Sequence, residues 1–167
     1  MILTGASGAG KTTIARNVQE RYGAECDVAY FDSVGVPALE VMRSEFGGPE
    51  RWQRAMTLRW MQRIAPGVAA GRTVLLEGQM RIAFVQEAIG DAEIEVSRII
   101  LVDCDDATRM ARLHGERLQP ELADATMMNW AQFLRDEARR KGVEILDTSK
   151  RTVESCVEVI AQRLFGA

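Results

Sequence analysis

"GASGAGKTT", residues 5–13, is the stretch on which the reading of this chain turns. Gly5, Gly10, Lys11 and Thr12 satisfy the pattern G-x-x-x-x-G-K-[ST]. The run sits between a short apolar strand, Ile2 to Thr4, and an apolar-periodic helix expected from about Thr12 to Tyr22. In that context a glycine-rich backbone wraps close to phosphate oxygens, and N–H groups at a helix N-terminus face the anion. Gly5, Ala6, Ser7, Gly8, Ala9, Gly10, Lys11, Thr12 and Thr13 are therefore assigned to nucleotide phosphates. Lys11 reaches the β- and γ-phosphates, and the Thr12 hydroxyl is placed to ligate Mg²⁺. The stretch itself leaves three fates for the phosphate: hydrolysis, use as a switch signal, or transfer to another molecule.

Outward from the loop, strands and helices alternate. A second strand is expected over Val28 to Phe31, ending at Asp32 and Ser33. Residues 36–65 read as helical with a break at Gly47, Gly48 and Pro49, and Trp52, Met56, Trp60 and Ile64 mark one apolar helix face. Further strands are expected at Thr73 to Glu77, Arg98 to Asp103 and Val143 to Asp147. The helices between and after them run from about Arg81 to Ile89, from Asp105 or Asp106 to about Leu113, and from about Ala125 to Lys141. A last helix carries Val153, Cys156, Val157, Ile160 and Leu164 on one face. Continuous aliphatic strands of this kind predict an α/β, three-layer fold: a five-stranded parallel sheet flanked by helices. Residues 1–167 then form one domain, with a helical substrate cap at about 36–65 and a short lid at about 114–124.

Composition limits the partners. A net charge of −3 with pI near 5.3 offers no nucleic-acid-binding surface. No apolar run reaches the length of a membrane span, and no targeting segment precedes the first strand. Cys26, Cys104 and Cys156 are far apart, form no metal-ligand pair and read as reduced, buried thiols of a cytoplasmic protein. The guanine-reading N-K-x-D of GTPases and the S-G-G-Q of transporter ATPases are both missing, and the chain is too short for the second domain of a ring-forming ATPase.

In size and layout the chain resembles the small P-loop kinases, the superfamily of nucleoside monophosphate, shikimate and gluconate kinases. The likeness in layout covers essentially all of it, although only the glycine loop is highly specific. The resemblance implies a nucleoside-kinase type of P-loop fold with ATP and Mg²⁺ as cofactors. It also implies that Asp32 positions an acceptor hydroxyl and takes its proton. Shikimate kinases carry D-x-D here, against Tyr30-Phe31-Asp32 in this chain, and their glycine triplet after the third strand is missing, so shikimate is not the expected acceptor. Glu77, Gly78 and Arg81 match the D-G-x-x-R of adenylate kinases with Glu for Asp, which implies Glu77 near the metal and Arg81 on the acceptor. Which of Asp32 and Glu77 is the base and which serves the metal stays open.

The arginine pair expected after the fourth strand falls on Arg112 and Arg117, five apart instead of four. It implies Arg112 on the nucleotide and Arg117 closing over the transferring phosphates, because guanidinium stays charged and binds phosphate bidentately. Arg109 reads better as a solvated helix residue, and His114 as packing in the lid region. Thr148 to Arg151 are candidates for reading the adenine edge. The resulting expectation is an ATP-dependent phosphotransferase acting on a hydroxyl of a small molecule. One alternative is a nucleoside monophosphate kinase, with Arg81 and Arg43 on the acceptor phosphate; the other is a regulatory ATPase. Neither the acceptor nor the oligomeric state can be read from the residues.

Overall fold

A computed structural model describes residues 1–95, 97–115 and 119–166. Five strands, β1 (Ile2–Thr4), β2 (Cys26–Tyr30), β3 (Thr73–Glu77), β4 (Ile99–Asp103) and β5 (Glu144–Asp147), form one sheet in the order β2-β3-β1-β4-β5. Every neighbouring pair is parallel. The register aligns Leu3 with Glu77 and Tyr30 with Glu77, and on the other side Asp103 with Asp147. All the strands therefore end along one edge of the sheet, with β1 at its centre. Strand order reverses at β1, the position where open parallel sheets bind ligands.

The helices are α1 (Lys11–Tyr22), α2 (Leu39–Phe46), α3 (Pro49–Ala69), α4 (Ile82–Asp91), α5 (Asp106–His114), α6 (Ala125–Lys141) and α7 (Val153–Phe165). Alternate strand residues feed opposite layers, as a period of two requires. Leu3, Leu75, Ile100 and Val102 pack with Ile14, Val18, Val157 and Ile160 from α1 and α7. Ile2 and Leu76 face the other way, onto Trp52, Trp60, Met61 and Val85 of α3 and α4, while Leu101 meets Leu134 and Ala138 of α6. The expected three layers are present, and Trp52 and Trp60 are core residues of the cap.

The extents of β2 and of the cap helix differ from the sequence reading. β2 starts two residues earlier and stops at Tyr30, because Phe31 opens a 3₁₀ turn, Phe31–Val34. Phe31 is buried edge-on against Trp52, and its carbonyl accepts from Trp60 Nε1 at 3.2 Å instead of continuing the ladder. The cap helix α3 runs through Pro66 to Ala69. A proline in the last turn removes only one helix hydrogen bond there, so the helix survives it. Arg117 lies outside the described residues. Of the residues expected as a lid, about 114–124, those described hold the last residue of α5 and a 3₁₀ turn, Pro120–Leu122.

Candidate active site

The loop between β1 and α1 has the geometry of an anion cradle. Gly10 is the N-cap of α1 at φ 95°, ψ 5°, a left-handed conformation that side chains rarely adopt, and no side chain caps the helix. Among the described residues, the backbone N–H groups of Gly8, Gly10, Thr12 and Thr13 find no acceptor. A helix N-terminus with unfilled donors and no acidic residue in its first turn is built for a negative ligand. The Lys11 ammonium is buried beside this turn and donates to Ala6 O at 3.1 Å. These donors fit nucleotide phosphates.

Thr12 and Glu77 meet at the end of β3, where Thr12 Oγ1 donates to Glu77 Oε1 at 3.2 Å. Glu77 is buried, so a hydroxyl and a carboxylate, both hard oxygen donors, stand side by side next to the cradle. That donor set suits Mg²⁺, which is held by one or two protein oxygens together with phosphates and water. Tyr30, level with Glu77 in the sheet, donates to Gln19 Oε1 at 2.7 Å. Burial raises its phenol pKa, and the Glu77 charge raises it further while Arg16 opposes them.

Asp32 lies two residues beyond the Tyr30–Glu77 pair, in the 3₁₀ turn. Adjacent strands lie about 4.8 Å apart, so the register brings Asp32 and Glu77 to neighbouring strand ends. Asp32 is exposed, and its carboxylate makes no hydrogen bond among the described residues. The loop after β3 closes this side. Ser7 Oγ donates to Gln79 Oε1 at 3.2 Å, and Gln53 of α3 holds Gln79 O at 2.9 Å and Arg81 N at 3.3 Å.

Arg81 stacks over both Phe84 and Phe133, 4.9 and 4.7 Å from the ring centroids, and pairs with Glu50. Arg43 is exposed on α2. Asp32, Glu77, Gln79 and Arg81 thus follow the ends of β2 and β3 along this side of the binding edge, and Arg43 makes no hydrogen bond or ion pair with them among the described residues.

On the other side of β1 a cavity of ≈540 Å³ opens between the loop, Arg16, Arg112, Thr148, Arg151 and Cys156. Arg112 donates to Gly8 O at 3.3 Å, to Thr148 Oγ1 at 2.9 Å and to Thr148 O at 3.0 Å. Ser149 turns back onto Asp147, whose pKa is lowered by the Ser149 hydroxyl and N–H. His114 is exposed, with Nδ1 2.9 Å from Met110 O. A larger hollow of ≈750 Å³ near Gln86, Arg98 and Arg163 lies at the opposite ends of the strands, away from all of these groups.

Arg109 overturns the reading of a solvated helix residue. It is fully buried, donating to Ser7 O at 2.7 Å and to Asp103 Oδ1 at 2.6 Å. Asp103 Oδ2 in turn accepts from Arg135 Nε at 2.6 Å. Sequence reasoning missed Gln79, Asp103 and Arg135 altogether. The one available signal was Asp103, an acid ending a wholly apolar strand, with an arginine six residues on in the following helix. All three thiols are buried, as expected, and burial raises the pKa of each.

Residues 1–127 match a family model described as AAA domain. The chain belongs to that family. The match leaves open what is done with the nucleotide, and no curated protein matches the sequence. Among solved structures, the chain is similar to a shikimate kinase from Acinetobacter baumannii in complex with shikimate, at 17% identity over 97% of this chain and 90% of that one, TM-score 0.64. A sugar kinase from Janibacter sp. HTCC2649 matches at 15% identity over 96% and 91%, TM-score 0.72. A putative kinase from Chloroflexus aurantiacus matches at 16% identity over 98% and 96%, TM-score 0.58. At these identities the likeness establishes the fold, that of the small P-loop kinases. Among the described residues, no helix of this AAA-domain protein is long and apolar enough to cross a membrane.

Proposed function

We propose that the protein is a cytoplasmic ATP-dependent phosphotransferase that moves the γ-phosphate to a hydroxyl of a small molecule. The observation that carries this is the placing of Asp32. It is an exposed carboxylate without a protein partner among the described residues, two residues past the strand end level with Glu77 and inside the short turn there. A base for a substrate hydroxyl needs a carboxylate left open beside the phosphate site, and Asp32 is one. MgATP supplies the phosphoryl group, and Mg²⁺ screens its charge. Lys11 and the N–H groups of the loop hold the phosphates, Thr12 and Glu77 stand at the metal, and Arg112 borders the nucleotide cavity. Asp32 orients the hydroxyl and accepts its proton. Phosphoryl transfer asks mainly for positioning and electrostatics, which these groups supply.

The acceptor is a hydroxyl compound other than shikimate, given Tyr30 where shikimate kinases carry an acid. For a nucleoside monophosphate acceptor, Arg81 would have to exchange Glu50 for a phosphate. The test is to supply γ-labelled ATP with pooled sugars, polyols, aminoglycoside- or phenicol-like compounds and nucleoside monophosphates, and follow the label. Label in a hydroxyl compound, lost in Asp32→Asn while ATP affinity stays within about twofold, is the expected result; positioned general bases contribute about 10²–10⁴-fold. Label in a nucleotide would sink the reading in favour of the monophosphate kinase. Label found only in inorganic phosphate would favour the ATPase.

A further inference from the structure

The back of the phosphate loop is as fully specified as its front. Four consecutive carbonyls are each met by a donor. Ala6 O accepts from Lys11 Nζ at 3.1 Å and Ser7 O from Arg109 Nη1 at 2.7 Å. Gly8 O accepts from Arg112 Nη1 at 3.3 Å and weakly from Cys104 Sγ at 3.7 Å, and Ala9 O from Thr148 Oγ1 at 2.9 Å. In a planar trans peptide the C=O of one residue and the N–H of the next point in opposite directions. A grip on Ser7 O therefore aims the Gly8 N–H, and a grip on Ala9 O aims the Gly10 N–H. Gly8 and Gly10 are among the residues whose N–H groups find no acceptor among the described residues. The intervening Ala9 N–H instead turns back weakly to Ala6 O, at 3.4 Å.

Asp103 anchors both grips. Its carboxylate holds Arg109 at 2.6 Å, and its carbonyl accepts from Thr148 N at 2.8 Å. The single Thr148 hydroxyl proton has two carbonyls in reach, Ala9 O at 2.9 Å and Asp103 O at 3.1 Å. Asp103 O already accepts the Thr148 N–H, so the shorter bond to Ala9 O is the one that leaves neither carbonyl without a donor, while the hydroxyl oxygen accepts from Arg112 at 2.9 Å. Burying a guanidinium completely is costly, and here its Nη1 and Nη2 are spent on a loop carbonyl, a carboxylate and Cys104 O.

We propose that Arg109 and Thr148 are positioning residues of the phosphate site, turning Ser7 O and Ala9 O outward so that the Gly8 and Gly10 N–H groups converge on a phosphate. This assigns Thr148 to the phosphates and not to the base. The inference rests on the loop being a nucleotide site and is indifferent to whether the phosphoryl group passes to an acceptor or to water.

The test compares MgADP, inorganic pyrophosphate and adenosine as ligands of the full chain, by calorimetry or by displacement of a fluorescent nucleotide. Thr148→Val preserves shape and removes the hydroxyl, whereas Thr148→Ser keeps it. Thr148→Val is expected to weaken ADP and pyrophosphate about tenfold, the scale of one lost hydrogen bond, with adenosine unchanged and Thr148→Ser close to wild type. Equal losses for adenosine and ADP would assign Thr148 to the base and overturn the inference, as would unchanged ADP affinity in a folded Thr148→Val. Should near-ultraviolet circular dichroism show Thr148→Val unfolded, Arg109→Lys decides by the same comparison, because it keeps the charge opposite Asp103 and loses the fork. A wild type binding neither ADP nor pyrophosphate would overturn the nucleotide reading and this inference with it. Wild-type binding combined with failure to label any acceptor would sink only the phosphotransferase reading.

Discussion

A methyl group on Gly78 would overlap the Cβ of Phe31, and Phe31 is the residue that swings β2 out of the sheet and into the turn carrying Asp32. The glycine after the acid of β3 is therefore explained by sterics across two strands. Gly78→Ala is expected to cost about 1–3 kcal/mol, the usual price of overpacking, measurable as a lowered denaturation midpoint. It should also slow transfer, since Phe31 can yield only by moving its neighbour. Undiminished stability would mean that the contact is slack. At this scale the placement of Lys11, Thr12 and Glu77 was legible because each closes a strand or opens a helix at the binding edge, and that of Asp32 because it follows a strand end two residues on. Arg109 was illegible, since a guanidinium on an amphipathic helix looks the same whether it faces water or a buried loop 102 residues away.

Between elements, α6 braces the sheet's binding edge on both sides of β1. Phe133 stacks under Arg81, and two residues later Arg135 reaches Asp103. Glu137, buried, accepts from Ile82 N at 2.8 Å and Ala83 N at 3.2 Å, capping α4 in place of its own N-cap residue, Arg81. Phe133 and Glu137 are one helical turn apart, so both bear on the β3–α4 connection from the same face. Glu137→Ala leaves one buried and one half-buried donor unsatisfied and should destabilise the fold by about 1–3 kcal/mol, read by urea denaturation. Glu137→Gln, which retains an acceptor oxygen, should cost less, and equal effects would contradict the capping role. Helix ends with local caps were readable: Asp105 accepts from Thr108 N and Thr152 from Ser155 N. A cap donated from 55 residues away leaves no local pattern to find.

Across the whole molecule, charge divides into two kinds. The Arg54–Glu87, Arg72–Asp27 and Arg21–Glu154 pairs lie on the surface, whereas the Asp103–Arg109 pair is buried at the junction of β4, α5 and the phosphate loop. Arg72→Ala should change stability by no more than about 0.5 kcal/mol and less at high salt, while Asp103→Asn, stranding a buried guanidinium, should cost about 3–5 kcal/mol at any ionic strength. Denaturant titrations at low and high salt separate the two. The strand alternation and the single sheet were plain in the sequence because both follow from hydrophobic periodicity. Strand order and register were not, since they arise only when the crossovers close.

Three of the loop's supports also lie far from it in sequence. Arg109 and Arg112 follow the carbonyls they hold by 102 and 104 residues, and Thr148 by 139. During synthesis on a ribosome the glycine loop is therefore made long before these three side chains can hold it, and residues 1–127, the span of the family match, still lack Thr148 and β5. A nascent chain gains the last of these supports only once Thr148 has been made, so a stretch of chain that stops short of it carries a phosphate loop with Ala9 O unheld.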